Sequence, residues 1–413
     1  MRILMLCDWL PPDFGAVGQY ALKFAREQSR AGHRVTLVGF SSELSTKVVE
    51  AAGAGSLTVL RIRRANCDKA STWRRARWTL AANCALLWRS KSEFIRADEI
   101  RFTGSPPFLL HFVMPLAWLL RRRTRYRITD FHPECLMAMY EPVPPWLSLF
   151  HRLTKFWRRR VQTIEVLGED QRRIILANGV SARRIELVRD PSPVSFSTAH
   201  RPAPVPTALQ GRHVLLYSGN WGAAHDSETL LRGLAQYEWQ HPGTVGLWLN
   251  ATGSQVPTVE RALRRGGVAY ARTEPVPLAK LAAVLLAADL HVICLRDQFV
   301  GYVLPSKVYA CIESQRPILF IGSERSDVHM LCAAAANRGL LQYRRVDVGD
   351  AQGVKESIAA VLAASADRSR PLGMPAVLSV NLVRAARIDV AAMQPAVAVR
   401  AAHAEISAQL VGS

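Results

Sequence analysis

The second half of the chain alternates between short apolar segments and segments with helical spacing, a pattern that few folds accommodate. The apolar segments predict strands at residues 213–217, 245–250, 268–272, 290–295 and 318–321. The segments between them predict helices near residues 228–240, 256–265, 278–288 and 305–314. Alternation at this spacing indicates a doubly wound parallel sheet, so we expect an α/β domain here.

The beginning of the chain predicts a second sheet of the same kind. Residues 2–7 are apolar, a loop rich in proline and glycine follows, and a helical segment precedes the apolar residues 35–38. This is a βαβ opening, and parallel strands joined by a helix require a buried sheet. Three further strands are expected to end at Asp130, Gly168 and Asp190.

A segment rich in proline, serine and alanine separates the two halves. We therefore predict two Rossmann-like domains, at residues 1–190 and 212–365, joined by a linker at residues 191–211. Ligands of such sheets bind at the carboxyl ends of the strands, so the facing edges would form a cleft. Residues 366–413 lose the pattern and predict a C-terminal helix or tail, which could pack back on the first domain.

The charge of the chain indicates an anionic partner. Over 413 residues, 53 Lys and Arg against 33 Asp and Glu give a net charge of +20. That excess suits nucleic acid, a membrane surface or a phosphorylated substrate, but no recognisable nucleic-acid module accompanies it. The 7 cysteines form no CxxC pair, so we expect neither a zinc site nor a disulfide framework. We also expect no signal peptide and no membrane-spanning segment.

A lysine in the first turn of a predicted helix is the most informative single residue. Lys307 follows Pro305 and Ser306, after the predicted strand at residues 290–295. The positive end of the helix dipole disfavours a cation there unless an anion lies between them. A diphosphate held by backbone N–H groups, the Ser306 hydroxyl and the Lys307 ammonium would remove the conflict.

Glycine-rich loops follow the first predicted strand of each domain. Gly219 and Gly222 would let the backbone approach a ligand closely in the second domain. Gly15 and Gly18 would do the same in the first domain, although they do not form the GxGxxG dinucleotide fingerprint. Both loops are therefore candidate ligand contacts.

Polar loops follow other predicted strands of the first domain. Asp130 and His132 end one strand and could orient sugar hydroxyls or transfer protons. The segment TGSPP at residues 103–107 and the segment GED at residues 168–170 are weaker candidates of the same kind. GED is also explained by a helix that begins with acidic residues.

Aromatic and basic residues occur together in the first domain. They lie in WRRARW at residues 73–78, in the arginine-rich residues 119–127 and in WLSLFHRLTKFWRRR at residues 146–160. Helices of this composition suit an anionic membrane interface. The candidate membrane or acceptor contacts are Trp73, Arg74, Arg75, Trp146, Trp157, Arg158, Arg159 and Arg160.

Six segments, taken in order, carry a family resemblance. They are LPPDFGAVGQYALKFAREQSRAGHRVTLV, TGSPPFLL, YRITDFHPE, VLGED, YSGNWGAAHDSETLL and GYVLPSKVYACIESQRPILFIGS. Together they resemble the retaining GT-B glycosyltransferases of family 4, especially bacterial polysaccharide-assembly enzymes. The resemblance implies transfer of a sugar from a nucleotide-diphosphate-sugar to a saccharide acceptor, with no bound metal and no other cofactor.

The resemblance and the basic first domain together predict the acceptor and the location. We expect a lipid-linked saccharide acceptor at an anionic membrane surface, with no nucleic-acid partner. The protein would be peripheral at the inner face of the cytoplasmic membrane, in exopolysaccharide, O-antigen or capsule assembly.

The resemblance also implies roles for residues of this sequence. Ser306 and Lys307 would contact the donor diphosphate and stabilise the charge that builds up as it leaves. Asp130 or His132 would stand near the reacting centre. Further donor contacts are implied for Gly15, Gly18, Gly219, Asn220, Gly222, Gly301, Tyr302 and Val303.

The chain departs from the family pattern at two positions. Many members carry Glu-x7-Glu where this chain has Tyr302 and Ala310, and Glu313, one helical turn further on, could replace the second glutamate. The departure keeps two alternatives open. One is a nucleotide-sugar epimerase, which shares the two-domain architecture. The other is a non-catalytic relative that binds a nucleotide or an anionic polymer.

Overall fold

The computed structural model describes residues 1–13, 16–43, 45–52, 54–65, 72–197 and 199–366. In these ranges the chain forms an eight-stranded sheet followed by a six-stranded sheet. The predicted fold class, two Rossmann-like α/β domains, is therefore confirmed. The domain boundaries stay predictions, and residues 367–413 of the expected C-terminal helix or tail lie outside the described residues.

The first sheet has the order β3-β4-β2-β1-β5-β6-β7-β8. Its strands are β1 (Arg2–Trp9), β2 (Arg34–Ser41), β3 (Thr46–Ala52), β4 (Gly55–Arg63), β5 (Glu99–Thr103), β6 (Arg123–Arg127), β7 (Thr163–Val166) and β8 (Ile185–Leu187). All neighbouring pairs are parallel except β3 with β4. Strand order reverses between β1 and β5, and ligands of open α/β sheets bind at such switch points.

The second sheet has the order β11-β10-β9-β12-β13-β14 and is parallel throughout. Its strands are β9 (His213–Asn220), β10 (Val245–Thr252), β11 (Tyr270–Thr273), β12 (Leu290–Cys294), β13 (Ile318–Ile321) and β14 (Tyr343–Val346). Its switch point lies between β9 and β12, which places the loops after these two strands side by side.

Helices cover both faces of each sheet. In chain order they are α1 (Ala16–Arg30), α2 (Thr72–Arg89), α3 (Lys91–Arg96), α4 (Leu110–Leu119), α5 (Glu134–Met137), α6 (Pro145–Arg158), α7 (Glu169–Ala177), α8 (Glu228–Gln240), α9 (Val256–Arg265), α10 (Leu278–Leu286), α11 (Lys307–Glu313), α12 (Asp327–Asn337) and α13 (Ala351–Ala366). None of these helices combines the length and the apolar character that a membrane crossing requires.

The alternation of side chains along β1 explains why the first strand reads as a continuous apolar run. Leu4 and Leu6 pack into a cluster with residues of α2 and α4. Ile3 and Met5 point to the opposite face and pack with residues of α1. Because successive strand residues face opposite sides, a strand buried on both faces must be apolar at every position.

The segment between the sheets is packed against the second domain. Val194 and Leu209 are buried in a cluster with β9 and α10. Their burial gives the predicted linker fixed contacts with one of the two domains.

Candidate functional site

The loops after β9 and β12 build a site around Lys307. The Lys307 Nζ is buried and has no hydrogen-bond partner among the described residues. It lies 3.2 Å from the centroid of the Tyr217 ring, which offers a cation–π contact but no acceptor atom. Burial lowers the pKa of Lys307 to about 7. A buried ammonium without an acceptor is costly, so this site favours an anionic ligand.

The glycine-rich loop after β9 lies directly against this lysine. Gly219 has a φ of +122°, and a Cβ built there would be 3.5 Å from the Lys307 Cε. Only glycine adopts this backbone conformation without strain. Asn220 is exposed and half-buried Gly222 follows, so the predicted donor loop and the predicted lysine are brought together.

A histidine that the sequence reasoning did not select belongs to the same loop. The Nδ1 of His225 accepts a hydrogen bond from the Gly222 N–H at 3.3 Å. Burial, and then the charge of Lys307, lower the pKa of His225 to about 3, so its ring is neutral. The sequence feature that could have identified His225 is its position three residues after Gly222 in a βα loop. Its neutral ring adds no positive charge beside Lys307.

The helix that carries Lys307 is shorter than expected. The predicted helix covered residues 305–314, whereas α11 begins at Lys307 and ends at Glu313. Ser306 is exposed just before it, and its side chain caps nothing. Glu313 lies at the far end of α11, where burial raises its pKa and the Ser192 side chain lowers it. It is therefore separated along the helix from Lys307 rather than beside it.

The segment before α11 contacts the first domain. The Phe131 N–H donates to the Tyr302 carbonyl at 3.0 Å, and Val303 forms an isolated antiparallel bridge with Asp130. Gly301 has a φ of +78°, and a Cβ there would lie 2.4 Å from the Ile174 Cδ1. The three residues that the resemblance assigned to the donor sugar therefore also join the two domains.

A second contact between the domains links the ends of α7 and α12. The Asp327 carboxylate accepts from the Glu169 N–H at 3.0 Å, and the Asp170 carboxylate accepts from the Asp327 N–H at 3.0 Å. Arg189 lies 2.8 Å from the same Asp327 carboxylate, which is fully buried. The acidic residues of the GED segment thus bind across the domain boundary.

Two of the expected catalytic residues lie on the first-domain side of the cleft. Burial raises the pKa of Asp130 to about 6. The Nδ1 of His132 is buried and unpartnered among the described residues, and burial lowers the pKa of the ring to about 4. Asp130 is the residue of the pair whose backbone bridges to the loop that leads to Lys307.

Of the two glycines predicted to contact a ligand in the first domain, the structure describes only Gly18. A Cβ at Gly18 would lie 1.7 Å from the Trp9 carbonyl oxygen, so Gly18 permits the close approach of α1 to the end of β1. Gly15 lies outside the described residues.

One predicted membrane contact is wrong. Arg158 is fully buried, with its guanidinium bonded to the Glu134 carboxylate and 4.9 Å from the centroid of the Phe131 ring. Arg158 holds the pKa of Glu134 well below its ordinary value against the effect of burial. The side chain is thus part of the core and does not face a membrane.

The other predicted membrane contacts are mixed. Trp146 is exposed, whereas Trp157 packs against the first-domain core. Arg159 donates to the Asn178 carbonyl, and Arg160 lies 3.4 Å from the centroid of the Phe156 ring. Arg74 and Arg75 are exposed on α2, and the side chain of Trp73 lies outside the described part of the chain.

The two facing sheets and their switch points define a GT-B fold, the class of the similar solved structures. OtsA, without ligand, is 13% identical with a TM-score of 0.58, over 87% of this chain and 91% of that one. An alpha,alpha-trehalose-phosphate synthase (UDP-forming) from Burkholderia vietnamiensis is 12% identical with a TM-score of 0.56, over 91% and 93%. HepE from Anabaena, in complex with UDP, is 13% identical with a TM-score of 0.52, over 99% of both chains.

Neither of the other two comparisons gives a match. No family model matches the chain, and no curated protein matches it. At these identities the structural likeness shows the fold alone.

Proposed function

We propose that the protein is a glycosyltransferase that moves a sugar from a nucleotide-diphosphate-sugar to a saccharide acceptor, with retention at the anomeric carbon. The observation that carries the proposal is the buried, unpartnered Nζ of Lys307 beside the glycine loop at the switch point of the second sheet. Two similar structures support it by their ligand or name: HepE holds UDP, and the Burkholderia vietnamiensis synthase is UDP-forming.

The proposed chemistry needs positive charge where the leaving diphosphate accumulates negative charge. Lys307 supplies that charge from a buried position, where a preorganised cation stabilises a developing anion most. The diphosphate raises the pKa of Lys307 on binding, because an opposite charge favours the ammonium form. The Ser306 hydroxyl and the backbone at Gly219 and Gly222 complete the cradle, and no metal takes part.

We propose a lipid-linked saccharide as the acceptor, because α6 exposes large apolar side chains while it buries polar ones. Leu147, Thr154 and Arg158 face the protein, whereas Trp146 and Leu149 are exposed. The α4–α6 apolar surface comprises Leu116, Trp118, Leu119, Trp146, Leu149, Leu153 and Phe156, all of them exposed.

The two helices of the α4–α6 apolar surface are packed together. The His111 ring stacks on the Phe150 ring at 4.3 Å, and its Nε2 lies 3.0 Å from the Thr154 Oγ1. Exposed Arg152 and Arg160 lie beside the apolar residues of α6. Apolar residues with a basic border fit an anionic bilayer. We place the protein at the inner face of the cytoplasmic membrane, in exopolysaccharide, O-antigen or capsule assembly.

A thermal-shift screen tests the donor site. Wild-type protein is heated with UDP, GDP, ADP, TDP and CMP, first with EDTA and then with Mg²⁺. A ligand that binds the native state raises the melting temperature. We expect one nucleoside diphosphate to do so in EDTA.

The matched variants are Lys307→Ala and Lys280→Ala, the second at an exposed lysine on α10. The shift should disappear in Lys307→Ala and persist in Lys280→Ala. No shift with any nucleotide would favour the non-catalytic relative, and an equal shift in both variants would remove the diphosphate assignment.

A further inference from the structure

An acidic and polar cluster that the proposed function does not use lies at the switch point of the first sheet. Asp8 is the penultimate residue of β1, Ser105 follows β5, and Asp130 follows β6. These three strands are neighbours in the order β1-β5-β6. Since they are parallel, their carboxyl ends meet at one edge. Ser105 belongs to the TGSPP segment, a weaker candidate in the sequence analysis.

The Asp8 carboxyl has an unmet hydrogen-bonding requirement. Its Oδ1 is buried and has no partner among the described residues. An acceptor oxygen that is buried without a donor costs free energy, and a ligand that supplies the missing donor would remove that cost. A carboxylate oxygen accepts an O–H group, which is what a saccharide acceptor presents.

Asp8 has no ion pair within 4.0 Å in the described part of the chain. Gly39 of β2 lies against the Asp8 carbonyl, and Gly18 of α1 lies against the next carbonyl, so these two elements contribute backbone there. The loop after β5 contributes the Ser105 side chain, and the loop after β6 contributes the Asp130 carboxyl. Asp8 is therefore not held in a structural ion pair.

The position of the cluster relates it to the donor site. Asp130 bridges to Val303, and Lys307 begins the next helix. The cluster thus faces the second domain at the loop that connects to the diphosphate-binding lysine. An acceptor bound on the first domain would place its hydroxyl between the cluster and the donor sugar.

We propose that Asp8 is a catalytic residue that binds the acceptor hydroxyl and takes its proton, an inference that rests on the proposed transferase function. The acceptor oxygen forms its bond to the anomeric carbon on the face from which the diphosphate leaves, so that the configuration is retained, and the bond from that carbon to the diphosphate oxygen breaks. The electron pair leaves with the diphosphate, and the hydroxyl proton moves to the Asp8 carboxylate.

The acidity of the cluster suits this role. Burial raises the pKa of Asp8 to about 7, hydrogen bonding to the Trp9 backbone and the Ser105 side chain lowers it, and the Asp130 charge raises it. A general base is most effective when its pKa lies near the operating pH. Asp8 meets that condition more closely than Asp130, whose pKa is raised to about 6.

Asp8→Asn separates this inference from the proposed function. Turnover is measured as release of UDP from UDP-glucose with dodecyl β-D-glucoside as acceptor, or with the nucleotide-glucose of the base selected by the thermal shift. We expect a loss of roughly 100-fold or more in kcat/KM, the usual contribution of a general base. The nucleotide thermal shift should stay, because Asp8 does not bind the diphosphate. Asp98→Asn, at an exposed carboxyl preceding β5, is the control and should match wild type.

The pH profile distinguishes a base from a structural residue. Wild-type kcat/KM should fall as the pH drops below about 7, because Asp8 then becomes protonated. Ser105→Ala should move the acidic limb of the profile to higher pH, because the Ser105 hydrogen bond lowers the pKa of Asp8. Asp130→Asn should move the acidic limb of its remaining activity to lower pH, because the Asp130 charge raises that pKa. Full activity in Asp8→Asn, or an unmoved limb in both other variants, would overturn the proposal.

A measurement without turnover keeps the proposal testable if this acceptor is not used. In protein labelled with ¹³C at aspartate carboxyls, one resonance should titrate near pH 7 and be absent from Asp8→Asn. If the Asp8 resonance titrates in the ordinary range of an exposed aspartate, the proposal is wrong. Absence of any nucleotide thermal shift would instead count against the proposed function.

Discussion

Lys307 lowers the stability of the ligand-free protein, and the same buried ammonium favours binding of an anion. Its Nζ is buried beside the Tyr217 ring with no acceptor among the described residues. Sites of this kind persist when function requires them, since removing the unpaired charge commonly stabilises a protein. The sequence could identify Lys307 because it follows a buried strand, but it could not reveal that the ammonium is enclosed.

We predict that Lys307→Met makes the ligand-free protein more stable, by roughly 1–3 kcal/mol, while abolishing diphosphate binding. Burial lowers the lysine pKa to about 7, so the wild type carries its full penalty below pH 7. The penalty declines as the pH rises toward the ordinary lysine value, so the gain should shrink between pH 7 and 10. Chemical denaturation at pH 6.5 and pH 9 measures it. Equal or lower stability of the variant at pH 6.5 would contradict this account.

At the scale of elements, the composition of α6 does not show which of its arginines is buried. The sequence places three arginines in succession at its end, and all three suited a membrane surface equally well. Successive residues of a helix point about 100° apart, so only one of the three can face the core. The structure shows that this residue is Arg158. Its partner Glu134 lies 24 residues earlier in the chain, at the start of α5. The ion pair depends on tertiary structure and has no local signature.

We predict that Arg158→Met destabilises the protein by about 3–5 kcal/mol, because it leaves the buried Glu134 carboxylate with only His151, whose Nε2 lies 3.2 Å away. Arg152→Met is the matched control on the same helix, where the side chain is exposed, and should change stability by less than about 0.5 kcal/mol. Urea denaturation of the two variants gives the comparison. Similar midpoints for both would show that the ion pair contributes little.

Four strands, β3, β4, β5 and β14, were not predicted from the sequence. In β5 and β14, charged residues interrupt the apolar ones. The Glu99 carboxylate of β5 pairs across strands, since its Oε1 lies 3.8 Å from the Arg125 Nε of β6. A strand with ion pairs on one face has the polar composition of a loop, so the sequence alone does not identify it as a strand. By contrast, α8, α9 and β13 have the predicted bounds, because their apolar spacing is uninterrupted.

At the scale of the whole molecule, the proposed donor site and the proposed membrane surface belong to different domains. Lys307 lies in the second domain, and the α4–α6 apolar surface lies in the first. The contacts of Phe131 with Tyr302 and of Asp327 with Glu169 join these domains. A lipid-linked acceptor held at the surface could thus be presented to a donor bound across the cleft.

We predict that Trp146→Ser weakens binding to vesicles of phosphatidylglycerol and phosphatidylcholine by several-fold, because a buried apolar ring is lost from the bilayer contact. Trp239→Ser is the matched control, since this tryptophan of α8 is 82% exposed against 63% for Trp146 but lies in the second domain. Co-sedimentation at low and high salt measures both. Equal binding of the two variants would remove the α4–α6 apolar surface from the proposal.

Proton uptake on nucleotide binding shows whether Lys307 receives a diphosphate. The nucleoside diphosphate selected by the thermal shift is titrated calorimetrically at pH 8 in two buffers of different ionisation enthalpy. Free Lys307 has a pKa of about 7 and is mostly neutral at that pH, whereas the bound diphosphate requires the ammonium. We expect uptake of about one proton per site by wild type and by Lys280→Ala, and none by Lys307→Ala. Equal proton uptake with and without the Lys307 amine would contradict it.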